Sequence, residues 1–157
     1  MRLPHLKSLV LPVALLAGVA CANATENTVY LSHPDAVDGQ TLSDSSGNTY
    51  RLFAVKTPAP GRHCLDGNGA DFDCGEKARS VLEIYASSLL TCTPIATESD
   101  QKAIRCKDFL GRDVGARMVQ TGWAVPDRAV SDQYVFEEME AEARRSGLWQ
   151  GRFHSAL

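Results

Sequence analysis

The spacing of apolar residues changes several times along the chain, and each change marks an element. From Leu9 to Ala20 the residues form one uninterrupted apolar run. Three short segments with strand character follow, Val29 to His33, Gln40 to Asp44 and Thr49 to Val55, with Ser45-Ser46-Gly47-Asn48 as the turn between the last two. In the third, Tyr50, Leu52 and Ala54 alternate with Arg51, Phe53 and Val55, a period of two that fits a twisted antiparallel sheet. Pro58, Pro60 and Gly61 break the pattern, and His63 to Gly75 is rich enough in Gly and Asp to predict a long surface loop. From Glu76 the period becomes helical, with Ala78, Val81, Leu82, Tyr85, Ala86 and Leu89 on one face.

Strand character returns over Leu90 to Thr97 and Lys102 to Cys106, around the polar turn Glu98-Ser99-Asp100. Asp113 to Gln120 predicts a short helix closed by Gly122. Ser131 is placed to cap a longer helix through Tyr134, Val135, Met139 and Ala143 to Gly147. The order is three strands, a helix, two strands and two trailing helices. No repeat is visible.

The chain has 157 residues, 44% of them apolar, enough for one ordinary core. Arg2 and Lys7 precede the first apolar run, and Ala22-Asn23-Ala24 follows it, the pattern of a secretory signal cleaved after Ala24. Residues 25–157 then form one domain. The run is too short to span a bilayer, and no second apolar stretch of spanning length follows, so no membrane span is expected. A lipoprotein signal would use Cys21, but Gly18 stands where such signals usually carry Leu. Removing residues 1–24 takes away Arg2 and Lys7 and no acid, which moves the formal charge from −3 to −5. The acidic balance disfavours nucleic acid as a partner, because basic groups drive that binding by releasing the counterions of the phosphates, but it leaves a local basic cleft possible. The final compartment is the periplasm or the medium.

Export gives the cysteines their meaning, because four of them, Cys64, Cys74, Cys92 and Cys106, then sit in an oxidising compartment. Four cysteines allow three pairings. Local spacing favours Cys64 with Cys74 across the Gly/Asp loop, and Cys92 with Cys106 across the second pair of strands. A zinc site from His63, Cys64, Cys74 and another Cys is the competing reading, and the chain contains no C-x-x-C pair to support it.

Three ordered blocks carry a resemblance. Val37-Asp38-Gly39-Gln40-Thr41-Leu42 is similar to V-D-G-D-T-L, and Arg51-Leu52-Phe53-Ala54-Val55-Lys56-Thr57-Pro58-Ala59 is similar to R-L-x-G-I-D-x-P-E. The third block is Gly111-Arg112-Asp113-Val114-Gly115, Gly122-Trp123-Ala124, Tyr134, Glu138, Ala141 and Gly147-Leu148-Trp149, with Gly151 and Phe153. Together, over roughly Val29 to Phe153, they resemble the staphylococcal-nuclease-like, or thermonuclease, family. The resemblance implies an α+β fold, mainly β: a five-stranded OB-fold barrel with one helix between strands 3 and 4 and two C-terminal helices.

The family hydrolyses phosphodiesters with one calcium ion, a glutamate that activates water and two arginines that stabilise the transition state. Position by position, this chain departs from that set. Gln40 replaces one calcium-ligand aspartate, and Lys56 replaces another with a cation that repels the ion. Ala59 stands where the family has its glutamate base. Arg51 matches the first arginine, and counting back from Cys106 puts Gln101 at the second, with Lys102 as a weak substitute if a gap is allowed. The expectation is a non-catalytic member of the family with no calcium or other cofactor at that site.

Two readings of the altered mouth stay open. Arg51 and Lys56 could form a metal-free anion pocket for a phosphate or carboxylate. Alternatively, Lys56 pairs with Asp38 or another carboxylate and only holds the barrel closed. A second metal candidate, Asp66-Gly67-Asn68-Gly69-Ala70-Asp71-Phe72-Asp73, has oxygen ligands at alternate positions, but Asp71 and Lys77 fall where a calcium loop needs Gly and Glu. Ordinary turn chemistry explains it better. Trp123 and Trp149 are expected to plug the core against the C-terminal helices. His33, His63 and His154 lack ligand spacing, and no nucleophile motif is present. Two function classes remain: a binding or scaffold module whose partner is a protein or a small anion, and a phosphodiesterase with a relocated site.

Overall fold

The computed structural model describes residues 27–97 and 102–151. The signal segment 1–24, the turn Glu98 to Asp100, Gln101, Phe153 and His154 lie outside them. The described residues form a mixed α and β fold, mainly strands, with three α-helices. In chain order these are β1 (Val29–Ser32), β2 (Asp35–Ala36), β3 (Thr41–Ser43), β4 (Thr49–Leu52), β5 (Val55–Lys56), β6 (His63–Leu65), β7 (Asp71–Asp73), α1 (Cys74–Tyr85), β8 (Leu89–Ile95), β9 (Ala103–Lys107), α2 (Val114–Gln120), β10 (Val125–Pro126) and α3 (Val135–Arg144), with a closing 3-10 turn over Gly147–Gln150.

The main sheet has the order β1-β8-β9-β4-β3-β2. Its pairs are antiparallel except β4 with β9. No ladder joins β1 to β2 among the described residues, so hydrogen bonding alone leaves these two as edges. They are nonetheless adjacent in the chain, separated only by His33 and Pro34, where His33 takes φ 49 and turns the backbone. Two small ladders, β10 with β5 and β6 with β7, complete the pairing.

Alternation along the strands builds the core. Leu42, Leu52, Leu90 and Ile104 point inward and are buried, and α1 adds Ala78 and Leu82, followed at the same four-residue spacing by its C-cap Ala86. Met118 and Val119 of α2 close the far side. α1 starts at Cys74 because the Asp73 side chain accepts a hydrogen bond from the Glu76 amide at 2.8 Å, satisfying one of the helix's unpaired donors.

The structure corrects several sequence expectations. The Gly/Asp stretch from His63 to Gly75 is a hairpin, β6 and β7, followed by the start of α1, rather than a featureless loop. The third strand does not run through to Val55, because Ala54 takes φ 58 and splits it into β4 and β5. Leu89 falls at a helical spacing but opens β8, since α1 ends at Tyr85. Ser131 does not cap α3: its hydroxyl accepts from the Gln133 amide at 3.2 Å inside the preceding turn, and Tyr134 sits at the N-cap, its side chain making no capping bond.

Candidate functional site

The β2–β3 connection lies tightly on the start of the segment after β5. A Cβ at Gly39 would stand 2.8 Å from both Thr57 Oγ1 and Ala78 Cβ, so only glycine lets this loop approach. Asp38 is spent locally. Its Oδ1 accepts from the Gln40 amide at 2.8 Å and its Oδ2 from the Thr41 hydroxyl at 3.0 Å. That turn presents Gln40, whose Oε1 accepts a 3.2 Å hydrogen bond from Arg51 Nη2 on the neighbouring strand.

Lys56, on β5, points elsewhere. Its ammonium lies 3.0 Å from Asp127 Oδ1, just beyond β10, and β10 pairs with β5 so that Val125 faces Lys56. Of the two sequence readings of Lys56, the structure gives an ion pair with a carboxylate, and the partner is Asp127 rather than Asp38. Lys56 is 40% exposed and Asp127 only 13%, which makes the pair a half-buried strut. Thr57 beside it is buried, and Ala59 is exposed.

Arg51 lines two clefts. One, about 330 Å³, brings it together with Lys102, Thr41, Asn48 and Tyr50, and among the described residues no carboxylate lines it. The Arg51 amide donates to the Lys102 carbonyl at 2.9 Å, which holds the two cationic residues side by side. The Lys102 ammonium reaches Asn48 Oδ1 at 3.4 Å and sits 5.5 Å from the centre of the Tyr50 ring. The second cleft, about 640 Å³, is lined by Arg51 with Phe53, Ile95, Asp127 and Val130. Lys56 lines neither cleft. Sequence reasoning missed Asp127 as the partner of Lys56. Nothing local to Val125-Pro126-Asp127 marks it, because only the β5–β10 pairing brings it near.

The cysteines pair as the spacing favours, Cys64 with Cys74 and Cys92 with Cys106. Cys92 and Cys106 are direct partners across β8 and β9, and Cys64 and Cys74 join β6 to the start of α1. Disulfides of this kind persist in oxidising compartments. The Asp66 carboxylate accepts from the Asn68 and Ala70 amides, both at 2.8 Å, which is turn chemistry. Asp71 lies 2.6 Å from the His63 ring at the surface. Among the described residues, no group of three or more His, Cys, Asp or Glu side chains is placed to hold a metal ion, and no helix is long and apolar enough to cross a membrane. Trp123 is half-buried against the core and meets Phe72 edge-on at 6.3 Å, while Trp149 is half-buried in the closing turn.

Two further polar groups are structural. Burial pushes the pKa of the Tyr134 hydroxyl up, reinforced by Asp113, whose carboxylate accepts a 3.0 Å hydrogen bond from it. Asp108 is buried against Arg112 and Arg117. Burial raises its pKa, but hydrogen bonds from the Arg112 amide and guanidinium outweigh this and leave it below the usual carboxylate range.

No family model matches the chain. Over 127 residues it is 26% identical to the succinoglycan biosynthesis protein ExoI of Rhizobium meliloti (strain 1021), an alignment covering 78% of this chain and 65% of that protein. The matched stretch thus takes in less than two thirds of the relative's length.

Proposed function

We propose that this chain is an exported, non-catalytic OB-fold module of the thermonuclease type that binds a small anionic ligand at Arg51. The barrel reading is supported by the bend at His33-Pro34. If β1 and β2 are halves of one bent strand, the two ends of the sheet order are a single strand, and the sheet curls shut through the chain itself. Five strands then remain, with α1 between the third and the fourth, as in an OB-fold. The signal-like segment and two disulfides support export.

The observation that carries the non-catalytic reading is the Lys56–Asp127 ion pair. Lys56 stands in the sequence where the family has a calcium-ligand aspartate, with its ammonium held on Asp127, and Gln40 gives its oxygen to Arg51. With Ala59 unable to take a proton and Gln101 at the place of the second arginine, the sequence lacks the family's two calcium-ligand aspartates, its base and its second arginine. What it retains is positive charge. Arg51 donates to the Gln40 amide oxygen and shares with Lys102 a cleft that no carboxylate lines among the described residues, a setting in which a guanidinium and an ammonium hold a phosphate or carboxylate. Lys102 is therefore the second cation, and Lys56 acts as a strut, joining the ligand only if it leaves Asp127.

Calorimetric titration of the purified protein with inorganic phosphate and with a nucleoside 3′,5′-bisphosphate tests this. Binding is expected to be saturable, to weaken at least about tenfold in Arg51→Ala, and to change by less than about threefold in Lys56→Ala. Binding lost in Lys56→Ala and kept in Lys102→Ala restores the Arg51/Lys56 pocket. Binding unaffected by Arg51→Ala refutes an anion site at the mouth. Plasmid cleavage by the pure protein that depends on a divalent metal and stops with EDTA overturns the non-catalytic assignment in favour of a phosphodiesterase.

The likeness to a protein of succinoglycan biosynthesis favours one second reading, in which the bound anion is part of a polysaccharide. An acidic oligosaccharide that displaces phosphate from wild type but not from Arg51→Ala would select it.

A further inference from the structure

α3 buries one face and leaves the opposite one bare. Glu138 and Ala141 face inward, whereas Phe136 is 80% exposed, Met139 is 57% exposed and Ala143 is exposed too. These three stand at spacings of three and four residues, so they form a single apolar stripe along the helix. With Gln120 of α2 and the carboxylates of Glu137 and Glu140 they line a groove of about 450 Å³. One large apolar side chain on a surface is ordinary, but an aromatic and a methionine on one stripe beside a groove mark an interaction face.

Charge order indicates what covers it: Glu137 lies in the first turn of α3, while Arg144 in the last turn and Arg145 at the C-cap lie at the other end. A second α3 laid antiparallel along the stripe brings the acidic end of each helix against the basic end of the other. The same geometry puts Phe136 opposite the partner's Ala143 and the two Met139 side chains beside the two-fold axis. The pattern is self-complementary, as a two-fold interface must be. In the protomer, Arg144 makes only a 3.3 Å contact with Glu140 and is 63% exposed, so it is available for the exchange.

We propose that two copies of this chain associate through antiparallel packing of α3 on α3, with Phe136 and Met139 at the centre and Glu137–Arg144 pairs at both ends. A ten-residue helix is only about 15 Å long. The contact therefore falls at the small end of specific interfaces, and the dimer is expected to dissociate in the range of about ten to a few hundred micromolar.

Sedimentation equilibrium of the whole protein from low micromolar to about 500 micromolar is the test. The average mass is expected to rise toward twice that of the chain. Met139→Glu, at an exposed position where the fold does not depend on it, should stay monomeric throughout with an unchanged melting temperature. Glu137→Arg and Arg144→Glu should each weaken association about tenfold or more, and the double variant should recover to within about threefold of wild type, because both pairs are then remade with reversed polarity. A wild type that remains monomeric to the highest concentration overturns the proposal. So does a dimer indifferent to Met139→Glu, since its interface lies elsewhere.

Discussion

Asp108 shows how one side chain organises a turn. It is only 3% exposed, and it accepts hydrogen bonds from the Leu110 and Arg112 amides as well as from the guanidinium groups of Arg112 and Arg117. Arg117 in turn stacks 3.7 Å from the centre of the Tyr85 ring, which ties the turn to α1. Replacing Asp108 by Ala removes the acceptor for four donors, and a loss of about 2 kcal/mol is expected, read as a lower urea midpoint. The pH dependence has a definite sign. Because the folded pKa is depressed, the stabilisation is complete above the unfolded value of about 3.9 and disappears as the pH falls through the lower folded value. The gap between wild type and Asp108→Ala should therefore be constant at neutral pH and close below about pH 4. A gap that persists at pH 2 would mean that packing, not ionisation, accounts for the residue.

At the scale of elements, β8 and β9 carry the most cross-strand pairing among the described residues, and the Cys92–Cys106 bond fixes their register one pair in from the end of the ladder. Both sulfurs are buried, so the bond also fills core volume. Cys92→Ala with Cys106→Ala should lower stability by about 3 kcal/mol in thermal or urea unfolding, through freed chain entropy and two small cavities. A loss below about 1 kcal/mol would show that the ladder alone sets the register. Elements like these were legible in the sequence because several residues repeat one period: β1, β3, β4, β8, β9 and the three helices fall within a few residues of expectation. β2, β5 and β10 have two residues each, too few for a period, and exist only because a neighbour pairs with them. β6 and β7 were hidden by Gly and Asp, whose turn preference is satisfied at Asp66 while the residues on either side still pair. The break at Ala54 was also concealed. Alanine gives no local sign of the left-handed backbone it adopts, although the R-L-x-G motif it aligns with has glycine there.

Across the whole molecule, the site was legible in kinds of residue but not in partners. The substitutions at Gln40, Lys56 and Ala59 stand in the sequence, whereas the Lys56–Asp127 pair depends on β10 folding back over β5, some seventy residues along the chain. That long-range contact makes the electrostatic argument testable by reversal. Replacing Gln40 and Lys56 together by Asp would gather two new carboxylates near Thr57 and leave Asp127 without its cation, a concentration of anionic oxygen that a hard divalent ion satisfies. In the absence of metal, the double variant should be less stable than wild type, because like charges then replace an ion pair. Calcium binding only the folded state raises stability by about 1.4 kcal/mol at ten times its dissociation constant, a melting shift of about 3 to 6 °C for a domain of this size. The double variant should show that shift with millimolar calcium and lose it with EDTA. Wild type should show none, since an ammonium at residue 56 meets the ion with the wrong sign. A calcium-dependent rise in wild type would remove the physical basis for treating this mouth as a metal-free anion site, whatever the variant did.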